Sequence, residues 1–207
     1  MNNLAALIFL LFSFTLCAQE YKSVKSAEVV KSKIRAKSNT LNTLTANFEE
    51  IVHSSVITSD QVTKGKVYYQ SKNKIRWEKY GDTKDIILID GSDISFFVDG
   101  SKVENSGANK IVKRVQSLMM DIISSDFIDK NDFNIEYLEN SSNFKLILKP
   151  LKKSLSRYVS NIELVFEKEK MSLTKFIIYE TADDFVSYKF SSVIYNKPIN
   201  STTFNSL

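Results

Sequence analysis

Apolar residues recur along this chain with two different periods, and the switches between them separate helical from extended stretches. Val24, Ala27, Val30, Ile34 and Leu41 return every three or four positions, with Lys and Ser between them. That spacing predicts an amphipathic helix near residues 22–38. The period then falls to two. Leu44, Ala46 and Phe48 alternate with Thr45, Asn47 and Glu49; Val67 and Tyr69 follow Gly65; Ile75 and Trp77 alternate with Lys74, Arg76 and Glu78. The run Ile86-Ile87-Leu88-Ile89 stops at Asp90-Gly91, and the run from Ile94 to Val98 stops at Asp99-Gly100. An Asp-Gly pair after an apolar run signals a hairpin, so an antiparallel meander is expected.

From Lys110 to Ile123 the helical period returns, with Ile111, Val112, Val115, Leu118, Met119, Ile122 and Ile123 on one stripe. Such a stripe is either ordinary core or a cover over a ligand. Strand patterns resume at Phe133, at Phe144, at Ile162, at Phe176 and at Val186. The total is about ten strands and two principal helices in one domain. Alternation gives most strands one wet face and one apolar face. Ile75, Trp77, Leu88, Phe96, Phe176 and Ile178 are assigned to the apolar face. The runs at 86–89 and 96–98 are apolar on both faces, so the sheet must be covered or must enclose something. The expected fold is α+β: a strongly curved antiparallel sheet, an incomplete β-barrel, with helices covering the concave face.

Composition narrows the chemistry. The 207 residues are 43% hydrophobic and 12% aromatic, enough to fill a core. One Cys and one His leave little for a metal site, a disulfide framework or a His-based triad. His53 reads as a strand residue at the surface or half buried. Asp183-Asp184, Asp82 and Asp85 read as turn carboxylates. No phosphate-binding loop, dinucleotide fingerprint or calcium loop is present. No enzyme, metal or cofactor is therefore expected. The net charge of +4 comes from interspersed charges and calls for no nucleic acid. The densest basic run, Lys149-Pro150-Leu151-Lys152-Lys153 with Arg157, reads as a solvated loop or as a contact for anionic lipid or an acidic partner.

Residues 4–16 are almost entirely apolar. The run is too short for a bilayer core of about 30 Å. It suits a secretory signal peptide, residues 1–18, cleaved after Ala18 to leave a single domain, 19–207. The alternative is a lipoprotein signal in which Cys17 becomes the acylated first residue.

Gly65-Lys66-Val67-Tyr68-Tyr69, then Ile75-Arg76-Trp77-Glu78, then Ile89-Asp90-Gly91-Ser92 and Ile94 to Val98 occur in that order. Upstream stands Leu41-x-x-Leu44-x-Ala46-x-Phe48, and downstream Asn196-Lys197-Pro198-Ile199 with Phe204. The series resembles the periplasmic outer-membrane lipoprotein carrier family, LolA, over residues 22–204. The resemblance implies a non-enzymatic, monomeric carrier (a chaperone) in the periplasm of a Gram-negative bacterium. It would receive acylated lipoproteins from an inner-membrane lipoprotein-releasing transporter and pass them to an outer-membrane acceptor. The alternatives are a carrier of another amphiphile, glycolipid or free lipid, and an envelope-stress binding module on a related fold. On the carrier reading the acyl cavity is lined by Phe48, Val67, Tyr69, Ile75, Trp77, Leu88, Phe96, Phe176 and Ile178. The lid helix presents Ile111, Val115, Leu118, Met119 and Ile122. Family members carry an Arg-Pro pair between the glycine and the tryptophan, and that Arg fastens the lid. This chain has Ser71-Lys72 there, leaving Lys72 and Arg76 as possible lid or partner contacts.

Overall fold

The computed structural model describes residues 20–71, 74–103 and 118–205. The segment 1–18, expected to be a signal peptide, and Lys72, Ile111 and Val115 lie outside the described residues.

Chain entry differs from the sequence expectation. The stripe predicts helix from about residue 22, but Lys22–Ser23 form a short strand, β1, and the helix α1 spans Ala27–Asn39. The edge strand β8 (Phe133–Glu139) explains the difference. Its open edge needs backbone partners, and Lys22 and Ser23 pair with Glu139 and Leu138. Val30 and Ile34, one helical turn apart, are the buried residues of α1.

Two antiparallel meanders follow. The first runs outward through β2 (Thr43–His53), β3 (Gln61–Gln70), β4 (Lys74–Tyr80), β5 (Lys84–Asp90), β6 (Asp93–Val98) and β7 (Ser101–Lys102). The β6–β7 turn shows why Asp-Gly was legible as a hairpin. Asp99 and Gly100 both have positive φ, 48° and 80°, as a two-residue hairpin loop requires. After the helical residues 118–124 (α2), the second meander runs back through β8, β9 (Asn143–Pro150), β10 (Asn161–Glu167), β11 (Ser172–Tyr179) and β12 (Phe185–Tyr195), with a short helix α3 (Lys153–Ser156) between β9 and β10.

Among the described residues the twelve strands form one sheet, ordered β1-β8-β9-β10-β11-β12-β2-β3-β4-β5-β6-β7, and it does not close. The seam between the meanders is the β12–β2 ladder, from Phe185↔His53 to Tyr195↔Leu44. Asn196 pins its end. Its side chain accepts from the Asn42 N–H at 2.8 Å and donates to the Thr40 carbonyl at 2.8 Å.

Both helices pack on one face, the inner face. Val30 and Ile34 of α1 and Leu118 and Ile122 of α2 meet the strand residues Leu146, Leu148, Ile162, Leu164 and Phe176 in the main core. A second inner cluster gathers around Phe48 and Trp77, and Met119 packs against both. A third, small cluster of Ile86, Leu88 and Phe97 lies on the outer face.

Candidate functional site

The inner face is built by strand parity. Ala46 and Phe48 of β2 stand beside Val67 and Tyr69 of β3, which stand beside Trp77 and Ile75 of β4. Side chains two apart share a face, so these six form one apolar surface, all buried. Trp77 is its centre. The Phe48 ring stacks on it with centroids 4.3 Å apart and planes inclined at 27°. Tyr188 meets Trp77 edge-on at 5.3 Å, and Phe190 does so at 6.3 Å. Phe48 reaches Trp77 by crossing β3 at Gly65, its cross-strand partner. A Cβ at residue 65 would collide with both the Phe48 ring and the Glu78 carbonyl oxygen. That collision is the physical content of the glycine in the Gly65-Lys66-Val67 motif.

Between this surface and α2 lies an apolar cavity of about 60 Å³. Val67, Trp77, Phe176 and Phe190 form its floor, and Met119, Ile122 and Ile123 of α2 form its roof. Among the described residues no charged side chain lines it. At its margin the Tyr195 hydroxyl is 2.5 Å from Ser172 Oγ.

The C-terminal end of α2 is fastened to α1. The Ser38 hydroxyl donates to the Ser124 carbonyl at 2.9 Å, and the Arg35 guanidinium pairs with Asp129. Within the segment, Lys130 Nζ meets Asp121 at 2.5 Å. The Asp121 carboxylate and its hydrogen bond hold the Lys130 ammonium above its usual range.

Of the proposed lining residues, Val67, Trp77 and Phe176 border the cavity directly. Phe48, Tyr69 and Ile75 are buried in the layer around Trp77. Burial raises the Tyr69 phenol, with Asp126 adding to it. Phe96 pairs with Ile87, which pairs with Trp77, so it shares the inner face and is half-buried. Ile178 faces inward one step beyond Phe176 and borders a second cavity. Leu88 requires correction. It pairs with Arg76, not with Ile75 or Trp77, and packs with Ile86 and Phe97 on the outer face. The apolar run at 86–89 has inner and outer members alike, and only its register against β4 separates them.

Of the proposed lid residues, Met119 and Ile122 roof the cavity, while Leu118 is buried in the main core and borders the second cavity. Arg76 also requires correction as a lid contact. It lies on the outer face, side chain 7% exposed. Its Nε donates to Glu78 at 2.5 Å and its Nη1 donates to the Thr203 carbonyl at 3.2 Å. The turn at Ser201–Phe204 covers this pair, and the sheet separates it from α2.

Several inner-face residues were missed. Phe190 and Ile123 carry the right period and needed only the knowledge of which strand abuts which helix. Glu50 gave no such signal. It shares parity with Phe48 and is 4% exposed, inside an apolar face. Lys79 Nζ sits 2.5 Å away, and the Tyr188 phenol hydrogen-bonds to Glu50. Burial first, then the Glu50 charge, push that phenol well above its ordinary value. The polar atoms of this inward pair are thus mutually satisfied.

The other polar candidates sit at the rim. His53 Nδ1 is 2.7 Å from Asp60, and its ring stacks on Phe185 at 5.0 Å. Asp184 accepts from the Ser55 N–H at 2.6 Å and from Thr181, and these bonds, the backbone one foremost, lower its carboxyl to about 2. It ties two loops together. Among the described residues no cluster of metal ligands is present, and no helix is long and apolar enough to cross a membrane.

Comparison with known proteins places this geometry. A family model described as outer membrane lipoprotein carrier protein LolA matches residues 39–206. No curated protein matches the chain. Among solved structures, an uncharacterized conserved protein from Thermus thermophilus superposes with a TM-score of 0.54 at 9% identity, over 87% of this chain and 94% of its own. MucB superposes with a TM-score of 0.51 at 9% identity, over 87% of this chain and 63% of its own. A LolA superfamily protein from Nitrosomonas europaea gives 0.43 at 12% identity, over 84% and 96%. At such identities the first two likenesses are likenesses of fold.

Proposed function

Because the chain belongs to the LolA family of outer-membrane lipoprotein carriers, we propose that it is a periplasmic carrier, exported by cleavage after Ala18, that shuttles lipoproteins by their acyl chains. The donor is an inner-membrane releasing transporter and the acceptor lies at the outer membrane. The family is a binding and carrier fold, and no chemistry beyond binding is assigned to this member.

The observation that carries the reading is the uncharged cavity roofed by Met119, Ile122 and Ile123. Each CH₂ removed from water contributes about 0.8 kcal/mol, so covering a 16-carbon chain is worth about 12 kcal/mol gross. A cavity of about 60 Å³ does not hold such a chain. On this reading the arrangement is a closed state, in which α2 side chains stand where an acyl chain would go. Loading requires α2 to lift, hinging at its C-terminal residue Ser124, bonded to Ser38, and at Asp129 just beyond the helix, paired with Arg35. Met119 suits the task, since an unbranched thioether side chain repacks readily. A floor without charged or directional contacts binds chains firmly yet lets the roof side chains replace them on release.

The test is depletion in the native host, followed by membrane fractionation. Lipoproteins stranded in the inner membrane support the assignment. Normal sorting, with free lipids rather than acylated peptides co-purifying, overturns it in favour of another amphiphile.

A further inference from the structure

We propose that the connection between β9 and β10, residues 149–159, is a docking surface for an anionic phospholipid membrane. The segment is anchored on its inner side. Leu155 of the α3 turn packs against the main core, and Val159 is buried in it. Its backbone is held as well: the Leu151 N–H donates to the Asp132 carbonyl at 2.8 Å, and the Ser156 N–H donates to the Lys152 carbonyl at 3.0 Å. Lys152 Nζ meets the Asp132 carboxylate at 2.5 Å. On the same anchored turn Leu151 is 61% exposed and Tyr158 44%. The segment thus turns Leu155 and Val159 inward and presents Leu151 and Tyr158 to solvent. Leu151, Lys149 and Lys153 border neither of the two cavities described above.

Charge selects the occupant. Lys149, Lys152, Lys153 and Arg157 are interleaved with the exposed apolar pair, and all four are exposed. Asp132, paired with Lys152, and Glu180, which borders the same cavity as Arg157, offset part of this charge. Among the described residues Lys149, Lys153 and Arg157 have no carboxylate partner. An anionic lipid surface attracts each Lys or Arg held near it. Tyrosine settles at the level of the headgroups, and a leucine enters the acyl boundary below them. Lysine and arginine stems can lie along that boundary with their charged ends in the headgroup layer. An acidic protein fits this surface less well. Lysine is depleted in protein interfaces, and a stable one takes about 800 Å² from each partner, more than a single connection between strands offers. The inference does not rest on the carrier reading, because it needs neither movement of α2 nor a protein cargo.

Co-sedimentation of the purified protein with vesicles tests it. One set contains phosphatidylethanolamine with phosphatidylglycerol, the other phosphatidylcholine alone. The expected result is binding to the phosphatidylglycerol vesicles only, weakening as salt is raised. Lys153→Ala and Arg157→Ala should each lower the partition about fivefold, the scale of one cation at an anionic surface. Leu151→Ser, which leaves the charge unchanged, should lower it about tenfold through lost apolar burial. Ile123→Glu, in the roof of the inner cavity, should leave vesicle binding unchanged. Leu151→Ser and Lys153→Ala should keep the parent's melting temperature and its affinity for a synthetic triacylated lipopeptide. Equal binding to both vesicle sets overturns the proposal, as does no binding to either. So does binding that is indifferent to all three substitutions in the connection. Loss of vesicle binding in Ile123→Glu overturns it too, because lipid then enters through the cavity. Binding of poly-glutamate without vesicle binding overturns it in favour of an acidic protein partner. Failure of the lipopeptide to bind, with vesicle binding intact, refutes the carrier reading alone and leaves this proposal standing.

Discussion

The ring of Phe48 lies on the ring of Trp77, 4.3 Å between centroids, although a whole strand separates their backbones. The crossing exists because Gly65 leaves bare backbone beneath the Phe48 ring. Aromatic stacking thus couples β2 to β4 directly, at the floor of the inner-face cavity. Gly65→Ala should cost about 1–3 kcal/mol through overpacking. Trp77 is the only tryptophan, so its emission spectrum reports the site by itself. The expected outcome is a lower melting temperature together with a shift in Trp77 emission. An unchanged spectrum with a lower melting temperature would place the strain elsewhere.

Leu118 and Ile123 lie on one helix but have different surroundings. Leu118 is 5% exposed in the main core, whereas Ile123 is half-buried over the cavity. Leu118→Ala should destabilise by about 2–4 kcal/mol, the range for a buried leucine. The charge in Leu118→Glu should unfold α2 from the sheet rather than only weaken ligand binding. Ile123→Glu should leave the denaturation midpoint near that of the parent while lowering affinity for acylated peptide several-fold. Chemical denaturation and lipopeptide titration on the same preparations separate the two effects.

The tether of α2 to α1 predicts a change in dynamics. Ser38→Ala removes the hydrogen bond to the Ser124 carbonyl, worth about 1 kcal/mol. Amide exchange over residues 118–124 should speed up about fivefold, with β9 and β10 unaffected. Faster exchange throughout the sheet would mean that the bond stabilises the fold as a whole rather than the helix end.

On the outer face, the Glu78 carboxyl titrates below its ordinary value. Burial acts against this, but the hydrogen bonds from Tyr80 and Arg76, with the Arg76 and Lys84 charges, outweigh it. Burial and the Glu78 bond together raise the Tyr80 phenol well above its own range. A depressed folded-state carboxyl contributes stability that is complete above the unfolded value, near 4.5, and is lost as pH falls through the folded value. The urea midpoint of the parent should therefore fall between about pH 5 and pH 3, and Glu78→Gln should flatten that slope. Arg76→Ala should be costlier, about 3 kcal/mol at neutral pH, because it strands a buried carboxylate. Equal slopes for parent and Glu78→Gln would exclude this ion pair as the source of acid sensitivity.

What the sequence determined by itself is local. The alternation of Ile75 and Trp77 with Arg76 and Glu78 marks β4 and its inner face, because a strand repeats every two residues whatever surrounds it. The stripe through Val30 and Ile34 marks α1 in the same way, and Asp99-Gly100 marks a hairpin because few other pairs accept two positive φ angles. The order Gly65, Trp77, Asp90-Gly91 carries the family. What the tertiary structure decided is everything that depends on a partner distant in the chain. Leu88 and Ile87 look alike in sequence, and only pairing with Arg76 and Trp77 sends one outward and the other inward. Arg76 reads as a solvent-facing charge until Thr203, 127 residues away, covers it. Glu50 has no local signal of its burial, which comes from Lys79 and Tyr188 closing around it. Periodicity tells which residues share a face; burial depends on what is laid over that face, and that is settled by contacts with no local signature.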